Sequence, residues 1–217
     1  MKSRCLSLVL LLLAASTHAQ RFKQNVSFGP IVGLGHAWMS GIEGDKEFKL
    51  APSIGATFVY SAGAHWGLGF DVKYSREGVK TEGLDFNLKS TLNANYIRIP
   101  VKAMYFLGQL GDKVRPKIMA GPTLGFLVGG KQKVKTTSDE MFLERSTKDA
   151  LHTFDLGLQG GIGLNFRLTR NTWLNTDVSY YHGFRNVAKA SGEDWKNRNI
   201  AANVGVAFGI GTIREKK

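Results

Sequence analysis

The stretch Trp66-Gly67-Leu68-Gly69-Phe70-Asp71-Val72-Lys73-Tyr74 decides the fold of this chain, because two kinds of residue alternate along it. Every second residue from Trp66 to Tyr74 is apolar, and the residues between them are two glycines, Asp71 and Lys73. Successive side chains of a β-strand point to opposite faces of the sheet, so the pattern predicts a strand with one apolar face. Because an aspartate and a lysine share the other face, the pattern is typical of a membrane barrel whose apolar face meets lipid.

The same alternation recurs in seven further segments, so we expect eight strands. The connections between them are alternately long and short, and outer-membrane barrels have short periplasmic turns and long outer loops. We therefore predict an all-β fold: an eight-stranded antiparallel transmembrane β-barrel with both termini in the periplasm. The connections are expected at residues 40–48, 61–64, 79–91, 108–113, 131–151, 168–171 and 185–198.

Charged residues on the polar faces distinguish this barrel from soluble ones. A soluble eight-stranded barrel of the lipocalin type has an apolar interior, so inward charges exclude it. A soluble β-sandwich remains an alternative, because alternation alone does not say which face is the core. Eight strands leave an interior that side chains can fill, and a buried charge needs a partner. We predict a network of ion pairs that plugs the lumen, with an ion-conducting slot as the alternative. Its members are Asp71, Lys73, Arg98, Lys102, Lys117, Asp155 and Asp177.

The N-terminus has the features of a secretory signal peptide. Lys2 and Arg4 form a charged start, an apolar run follows at residues 6–15, and small residues end at Ala19. A signal-anchor helix is the rival interpretation, but the apolar run falls short of the ~20 residues that a membrane span needs. We predict a signal peptide at 1–19 and one barrel domain at 20–217. The single cysteine, Cys5, lies inside the signal.

The chain carries a formal net charge of +12. The basic residues are spread through strands and loops, and an exported protein does not meet nucleic acid routinely, so we expect no nucleic-acid partner. Anionic lipid attracts Lys and Arg near a membrane surface. Lys131, Lys133 and Lys135 alternate in the third long connection and would align their ammonium groups toward lipopolysaccharide phosphates. The alternative is that these lysines only keep a hairpin edge unpaired.

No residues suggest catalysis or metal binding. His182 and Ser179 fall on opposite faces of one predicted strand, so they form no nucleophile and base pair. The acidic residues near Glu144 lack the glycine and spacing of a calcium loop. We therefore predict no enzymatic activity, no cofactor and no metal site.

Two proline-containing segments carry a family resemblance. Tyr-Ile-Arg-Ile-Pro at residues 96–100 and Pro-Lys-Ile-Met-Ala-Gly-Pro-Thr-Leu-Gly at residues 116–125 resemble a neighbouring strand pair of the PorT-like outer-membrane barrels of Bacteroidetes. The resemblance implies the barrel fold and other envelope proteins as partners, since the family's namesake is associated with type IX secretion. It implies a structural or accessory role, linked to protein secretion or surface assembly. A small channel or ligand-uptake barrel is the alternative.

Overall fold

The computed structural model describes residues 25–42, 44–84, 88–109, 112–136 and 140–210. The predicted signal peptide lies outside these residues. No helix in the described ranges is long and apolar enough to span a membrane. The elements are β1 (Asn25–Ser40), β2 (Asp45–Glu47), β3 (Ser53–Ser61), β4 (Trp66–Leu84), β5 (Leu88–Phe106), β6 (Val114–Gly129), β7 (Lys131–Thr136), β8 (Met141–Ser146), α1 (Thr147–Ala150), β9 (Phe154–Arg167), β10 (Thr172–Gly183) and β11 (Lys196–Ile210).

Eight of the strands form a closed antiparallel ring. Going round the ring, the order is β1, β3, β4, β5, β6, β9, β10 and β11, and β11 pairs again with β1. The pairing of β4 with β5 completes the closure. This ring confirms the predicted eight-stranded barrel and rules out the β-sandwich. We call the end with the connections β3–β4, β5–β6 and β9–β10 the short-turn end, and the opposite end the long-loop end.

The burial of side chains follows the predicted alternation. In β4, Trp66 is 60% exposed and Leu68 54%, whereas Asp71 is 1% and Lys73 7% exposed. The apolar side chains therefore point away from the barrel and the charged ones point into it. Such an inside-out arrangement is stable where lipid covers the outer surface.

The connection predicted at residues 79–91 is wrong, because most of it is strand. β4 continues to Leu84 and β5 begins at Leu88, so the two form one long hairpin that extends past the barrel wall. β2 pairs with the β4 side of this extension and β7 with the β5 side. The extension is thus part of a sheet rather than a free loop. The connection predicted at 131–151 likewise contains β7, β8 and α1.

Pro100 and Pro122 each lie inside a barrel strand where ladder pairing lapses. β4 and β5 are in register up to Phe70 and Val101 and again from Lys73 and Arg98, with no paired residues in between, where Pro100 lies. The pairing of β5 with β6 is interrupted in the same way at the position of Pro122. The register is unchanged on both sides of each gap. A proline cannot donate to the ladder, so placing both prolines at lapses avoids an unfilled hydrogen-bonding position.

Candidate functional site

Arg98 is the centre of a buried ion cluster in the upper lumen, near the long-loop end. Its Nε and Nη2 atoms donate to the two carboxylate oxygens of Glu77 over 2.9 and 2.6 Å, and its Nη1 atom donates to Asp155 over 2.7 Å. The guanidinium carbon lies 4.3 Å from the ring centroid of Tyr96 and 4.4 Å from that of Tyr181. Bidentate pairing and two aromatic faces fix this guanidinium rigidly across the lumen.

A second ion cluster lies nearer the middle of the barrel. Lys102 donates to Asp71 over 2.6 Å, and the same carboxylate accepts from the hydroxyl of Thr57 over 2.7 Å. Lys73 donates to Asn203 over 3.3 Å, and the amide nitrogen of Asn203 donates to Asp177 over 2.7 Å. Asn203 therefore connects a lysine to an aspartate.

Two glycines make room for charges that face each other across an intervening strand. Arg98 and Asp155 are both in register with Gly125, from the two sides of β6. In the same way, Lys117 and Asp177 are both in register with Gly163, from the two sides of β9. A Cβ at Gly125 would lie 2.4 Å from Nη1 of Arg98. The missing side chain is thus a condition for the Arg98–Asp155 contact.

All seven predicted lumen residues are buried on the inner face, but the sequence analysis missed two further charges. Glu77 is 4% exposed and Arg115 is 3% exposed. Glu77 continues the inward series of Asp71 and Lys73, so the alternation itself carried the signal. Arg115 lies near the short-turn end, where it stacks 4.1 Å from the ring centroid of Phe106 and donates to the Ala64 carbonyl.

Apolar clusters lie inside the barrel at both ends. The base cluster, at the short-turn end, comprises Val59, Met104, Phe106 and Met119. The mouth cluster lies at the long-loop end and receives residues from four barrel strands, from Leu151 and from Val187 in the β10–β11 connection. It comprises Met39, Val79, Leu92, Ala94, Tyr96, Leu127, Leu151 and Val187.

The described part of the lumen contains a small cavity. One cavity of about 30 Å³ lies between the two ion clusters and is lined by Lys73, Glu77, Arg98 and Tyr181, among others. A volume of ~10–15 Å³ is the least that holds one water molecule, so this cavity is on the scale of single waters. Together with the two apolar clusters, the ion pairs occupy much of the lumen that the described residues enclose.

A larger cavity of about 440 Å³ opens at the long-loop end, above the mouth cluster. Ile42, Val79, Leu92 and Trp195 supply its apolar surface. Its polar walls come from the extended hairpin, from β7 and from the β10–β11 connection. They contain Thr81, Ser90, Gln132, Glu193 and Asp194.

Lys131, Lys133 and Lys135 lie on β7, on the face that continues the outer surface of the barrel. Glu144 on β8 contacts Lys131 at 2.5 Å and Lys133 at 3.5 Å. β7 lies between β5 and β8, so these lysines are not at the sheet edge and the edge-protection alternative is wrong. Lys80, Glu47, Glu82 and Lys89 share this outward face in two further ion pairs. Asp45 is in register with Glu82 and lies on the same face, so these strands contribute five lysines and four acidic residues to it.

Aromatic rings surround the outside of the barrel near both ends. At the long-loop end, His36 stacks between Trp38, at 5.1 Å between centroids, and Phe48, at 4.9 Å. Trp38 in turn lies 6.1 Å from Tyr180. At the short-turn end, Trp66 contacts the edge of Tyr105. Two such girdles mark the depths of the two membrane interfaces.

The described residues hold no group of three His, Cys, Asp or Glu side chains that could bind a metal. His182 stays on the outer surface, where it contacts the rings of Tyr180 and Phe184. Ser179 lies on the inner face and accepts a hydrogen bond from Asn203. The two residues point in opposite directions, as the sequence analysis predicted.

The sequence matches the family described as outer membrane protein beta-barrel domain over residues 12–189. A major outer membrane protein from Thermus thermophilus superposes with a TM-score of 0.55 and 13% identity, over 87% of this chain and 100% of that one. OprG from Pseudomonas aeruginosa gives a TM-score of 0.53 and 13% identity, over 87% and 96%. Ail of Yersinia pestis gives 0.49 and 15%, over 87% and 100%. None of the curated proteins has a matching sequence. At these identities the likeness concerns the fold alone.

Proposed function

This chain belongs to the outer membrane protein beta-barrel domain family, and from that premise we propose that it is a non-conducting barrel with a structural or accessory role. The family and the lipid-facing apolar surface place it in the outer membrane. Its function is then exerted by its exposed long-loop end and by the partners that this end binds, rather than by transport through the lumen.

The observation that carries this proposal is the filled lumen. Two ion clusters bridge the interior, and apolar clusters lie above and below them. A passing ion would have to replace buried contacts such as Arg98–Glu77, in which both side chains are at most 5% exposed. Breaking a buried pair costs ~3–5 kcal/mol because a charge is left without a partner. Steady conduction therefore requires a rearrangement of the core of the barrel.

A planar lipid bilayer tests the absence of conduction. We expect purified protein to give no steady current. The Lys102→Glu variant would give a different current only if ions pass through the lumen. The inward position of Lys102 makes it the right probe, while Lys89→Glu on the outer face is the matched control. A steady current through the unaltered protein that Lys102→Glu changes and Lys89→Glu does not would establish the small-channel alternative instead.

We infer a PorT-like assignment from the strand pair β5 and β6. Pro100 and Pro122, which carry the resemblance, lie at the pairing lapses of these adjacent strands. The assignment implies a role in protein secretion or surface assembly. It also implies removal of the signal peptide at 1–19 and a mature barrel domain at 20–217, with both termini and the short turns in the periplasm.

We propose two kinds of partner at the long-loop end. The lysine-rich outward face would meet lipopolysaccharide phosphates, which Lys131, Lys133 and Lys135 would contact. Other envelope proteins would pair with β8, which is a terminal strand of the described sheet. A free strand edge is a template for an added strand. We propose no nucleic-acid partner.

Two binding experiments test these partners. The Lys131, Lys133 and Lys135 triple Glu variant should bind lipopolysaccharide vesicles more weakly than the parent, whereas equal binding would refute the lipid contact. Replacing β7 and β8 with a short glycine linker should remove envelope proteins that co-purify with the parent. Recovery of the same proteins with the shortened chain would overturn the role of the hairpin.

We propose no enzymatic activity and no cofactor for this barrel. Ser179 and His182 are the nucleophile and base pair that the sequence analysis weighed. Their side chains lie on opposite faces of β10, which supports this proposal. The lipid A of a deletion strain should have an unchanged mass spectrum. A lost acyl or phosphate modification that the plasmid-borne gene restores would show that the barrel is an enzyme.

A further inference from the structure

We propose that Lys49 and Arg76, which lie on the outer surface at the foot of the extended hairpin, bind a phosphate group of lipopolysaccharide. We call these two residues and their neighbour Lys80 the phosphate site. The site is separate from the lysines of β7, which are expected to contact lipopolysaccharide from the sheet above. The proposal rests on the outward orientation of the long-loop end, and it adds a defined place where one phosphate of the lipid is held.

The phosphate site lies directly above the lipid-facing wall of the barrel. Tyr74 on β4 belongs to a row of outward apolar residues that are in register on four neighbouring strands. The row comprises Ile54, Tyr74, Ile97 and Phe126. Arg76 is exposed on the same outer face, two residues nearer the long-loop end, which is a step of ~7 Å along the strand. Arg76 therefore lies where the lipid-facing wall ends and the headgroup layer begins.

A glycine on β4 allows the side chain of Lys49 to reach this wall. A Cβ at Gly78 would lie 3.2 Å from Cε of Lys49, so the lysine stem lies close to the bare backbone of the strand. The Nζ atom of Lys49 donates to Oδ1 of Asn93 over 2.7 Å, and Asn93 is directly opposite Gly78 on β5. An ammonium group has three donors, so two remain for a ligand after this hydrogen bond.

Positive charge accumulates at the phosphate site without an equal number of acidic groups. Burial lowers the pKa of Lys49, and the charges of Arg76 and Lys80 lower it further. Glu47 pairs with Lys80. Neither Lys49 nor Arg76 forms an ion pair with an acidic residue in the described part of the chain. Three cations thus share one carboxylate, and a bound anion would relieve their mutual repulsion.

The other acidic residues of the neighbouring strands do not offset this charge. Glu77 follows Arg76 in the chain but points into the lumen, where both of its carboxylate oxygens accept hydrogen bonds from Arg98. Asp45 and Glu82 face each other farther out on the hairpin, and Glu82 lies six residues beyond Arg76, ~20 Å along the strand. The positive balance therefore belongs to the phosphate site itself.

A lipid phosphate fits both the charges and the position of the site. A phosphate monoester carries nearly two negative charges at neutral pH and has three acceptor oxygens. The guanidinium of Arg76 can donate two parallel hydrogen bonds to it, and the ammonium of Lys49 adds a point charge. The acyl chains of the same molecule would cover the apolar row below. Because the long-loop end faces the outer leaflet, the lipid that meets the site is lipopolysaccharide.

Native mass spectrometry of the folded full-length barrel in a neutral detergent measures lipid binding directly. Diphosphoryl lipid A is the probe, and the comparison ligands are lipid A without its phosphates, phosphatidylglycerol and inorganic phosphate. We expect the probe to bind at least about fivefold more tightly than lipid A without phosphates, since one ion pair at contact distance in water corresponds to roughly that factor. Phosphatidylglycerol should bind more weakly because its phosphodiester has a single charge, and inorganic phosphate because it has no acyl chains.

Charge removal shows which residues hold the phosphate. Arg76 is exposed, so Arg76→Gln leaves the packing of the barrel in place and should weaken the binding of lipid A about fivefold. The Lys49→Gln, Arg76→Gln double variant should weaken it further, although it keeps all the lysines of β7. The Lys113→Gln, Arg170→Gln double variant is the matched control. It removes the same charge from exposed positions at the short-turn end and should leave the affinity unchanged.

Three results would each overturn the phosphate site: equal binding of lipid A with and without its phosphates, equally tight binding of phosphatidylglycerol or inorganic phosphate, and equal losses in the two double variants. A further result separates this site from the lipid contact of β7. If the variants of Lys49 and Arg76 bound like the parent and the triple Glu variant of β7 bound more weakly, only the phosphate site would be wrong. None of these results would alter the conductance that tests the structural role.

Discussion

Arg98 on β5 donates hydrogen bonds to both carboxylate oxygens of Glu77 on the neighbouring strand β4, over 2.9 and 2.6 Å. The pair runs diagonally, because the residue directly opposite Arg98 is Lys73 and the one opposite Glu77 is Ala94. It therefore ties the barrel wall to the base of the extended hairpin. Since Arg98 also reaches Asp155 on β9, one side chain spans four adjacent strands of the ring.

Removing the charge of Glu77 should destabilise the barrel. Glu77→Gln leaves Arg98 with one carboxylate instead of two in a buried site, and we expect a loss of about 3 kcal/mol in the free energy of unfolding. Urea unfolding in lipid vesicles measures it. Glu82→Gln removes one partner of the more exposed pair with Lys89 and should change the same quantity much less, because water screens an exposed pair. Equal effects of the two variants would show that the Arg98 cluster is not a structural centre.

The contact between Asp71 and Lys102 should show strong energetic coupling. Asp71→Asn and Lys102→Met each leave a charge without its partner, whereas the double variant removes both charges. The double variant should therefore be less destabilised than the two single effects added together, by about 1–3 kcal/mol. Additive effects in the unfolding of the four proteins would show that the contact between Asp71 and Lys102 contributes no coupling energy.

A side chain at Gly125 should disturb the lumen, and the same change at Gly129 should not. Gly125 is in register with the inward Arg98, whereas Gly129 lies beyond a shift in register, opposite Asn95. A Cβ at Gly125 meets Arg98 at 2.4 Å, but a Cβ at Gly129 has nothing within 4 Å. We expect Gly125→Ala to cost about 1–3 kcal/mol through overpacking, and Gly129→Ala to be nearly neutral. The fraction of folded barrel and its urea midpoint measure both, and a neutral Gly125→Ala would contradict the close approach.

Acid should loosen the β7–β8 hairpin. The hydrogen bond from Lys131 lowers the pKa of Glu144 below its ordinary value of 4.5. A lowered folded-state pKa means that the contact stabilises the hairpin above pH 4.5, and that this stabilisation is lost as the pH falls through the lowered value. Hydrogen exchange should show reduced protection of β7 and β8 under acid, with the barrel strands unaffected. Glu144→Gln should show the reduced protection already at neutral pH; if its hairpin keeps the parent's protection there, the contact has no such role.

The arrangement of strands followed from the sequence because a strand has a period of two residues. Asp71 and Lys73 opposite Trp66 and Leu68 fix which face is polar, and the same rule pointed inward for all seven predicted lumen charges. The same rule places Glu77 and Arg115 on the inner face, because each lies an even number of residues from a predicted lumen residue of its own strand. These two were missed as members of the network, although the pattern contained them.

The partners of those charges depended on the closed ring. Arg98 and Asp155 are 57 residues apart, and their contact depends on the glycine between them in register. Alternation gives the face of a residue but not its height in the barrel, which is set by the stagger of adjacent strands. The cavity above the mouth cluster needed the same information, because it joins Ile42, Leu92 and Trp195 from distant parts of the chain.

The sequence by itself determined that this chain forms an eight-stranded barrel with apolar side chains outside and charges inside. That information is local, since each strand shows its two faces within a few residues. Only the tertiary structure decided that most of the residues at 79–91 extend a hairpin, which charges meet inside the lumen and that a cavity opens above the mouth cluster. These features depend on strand register and on side chains brought together from distant segments, and neither is contained in a local period.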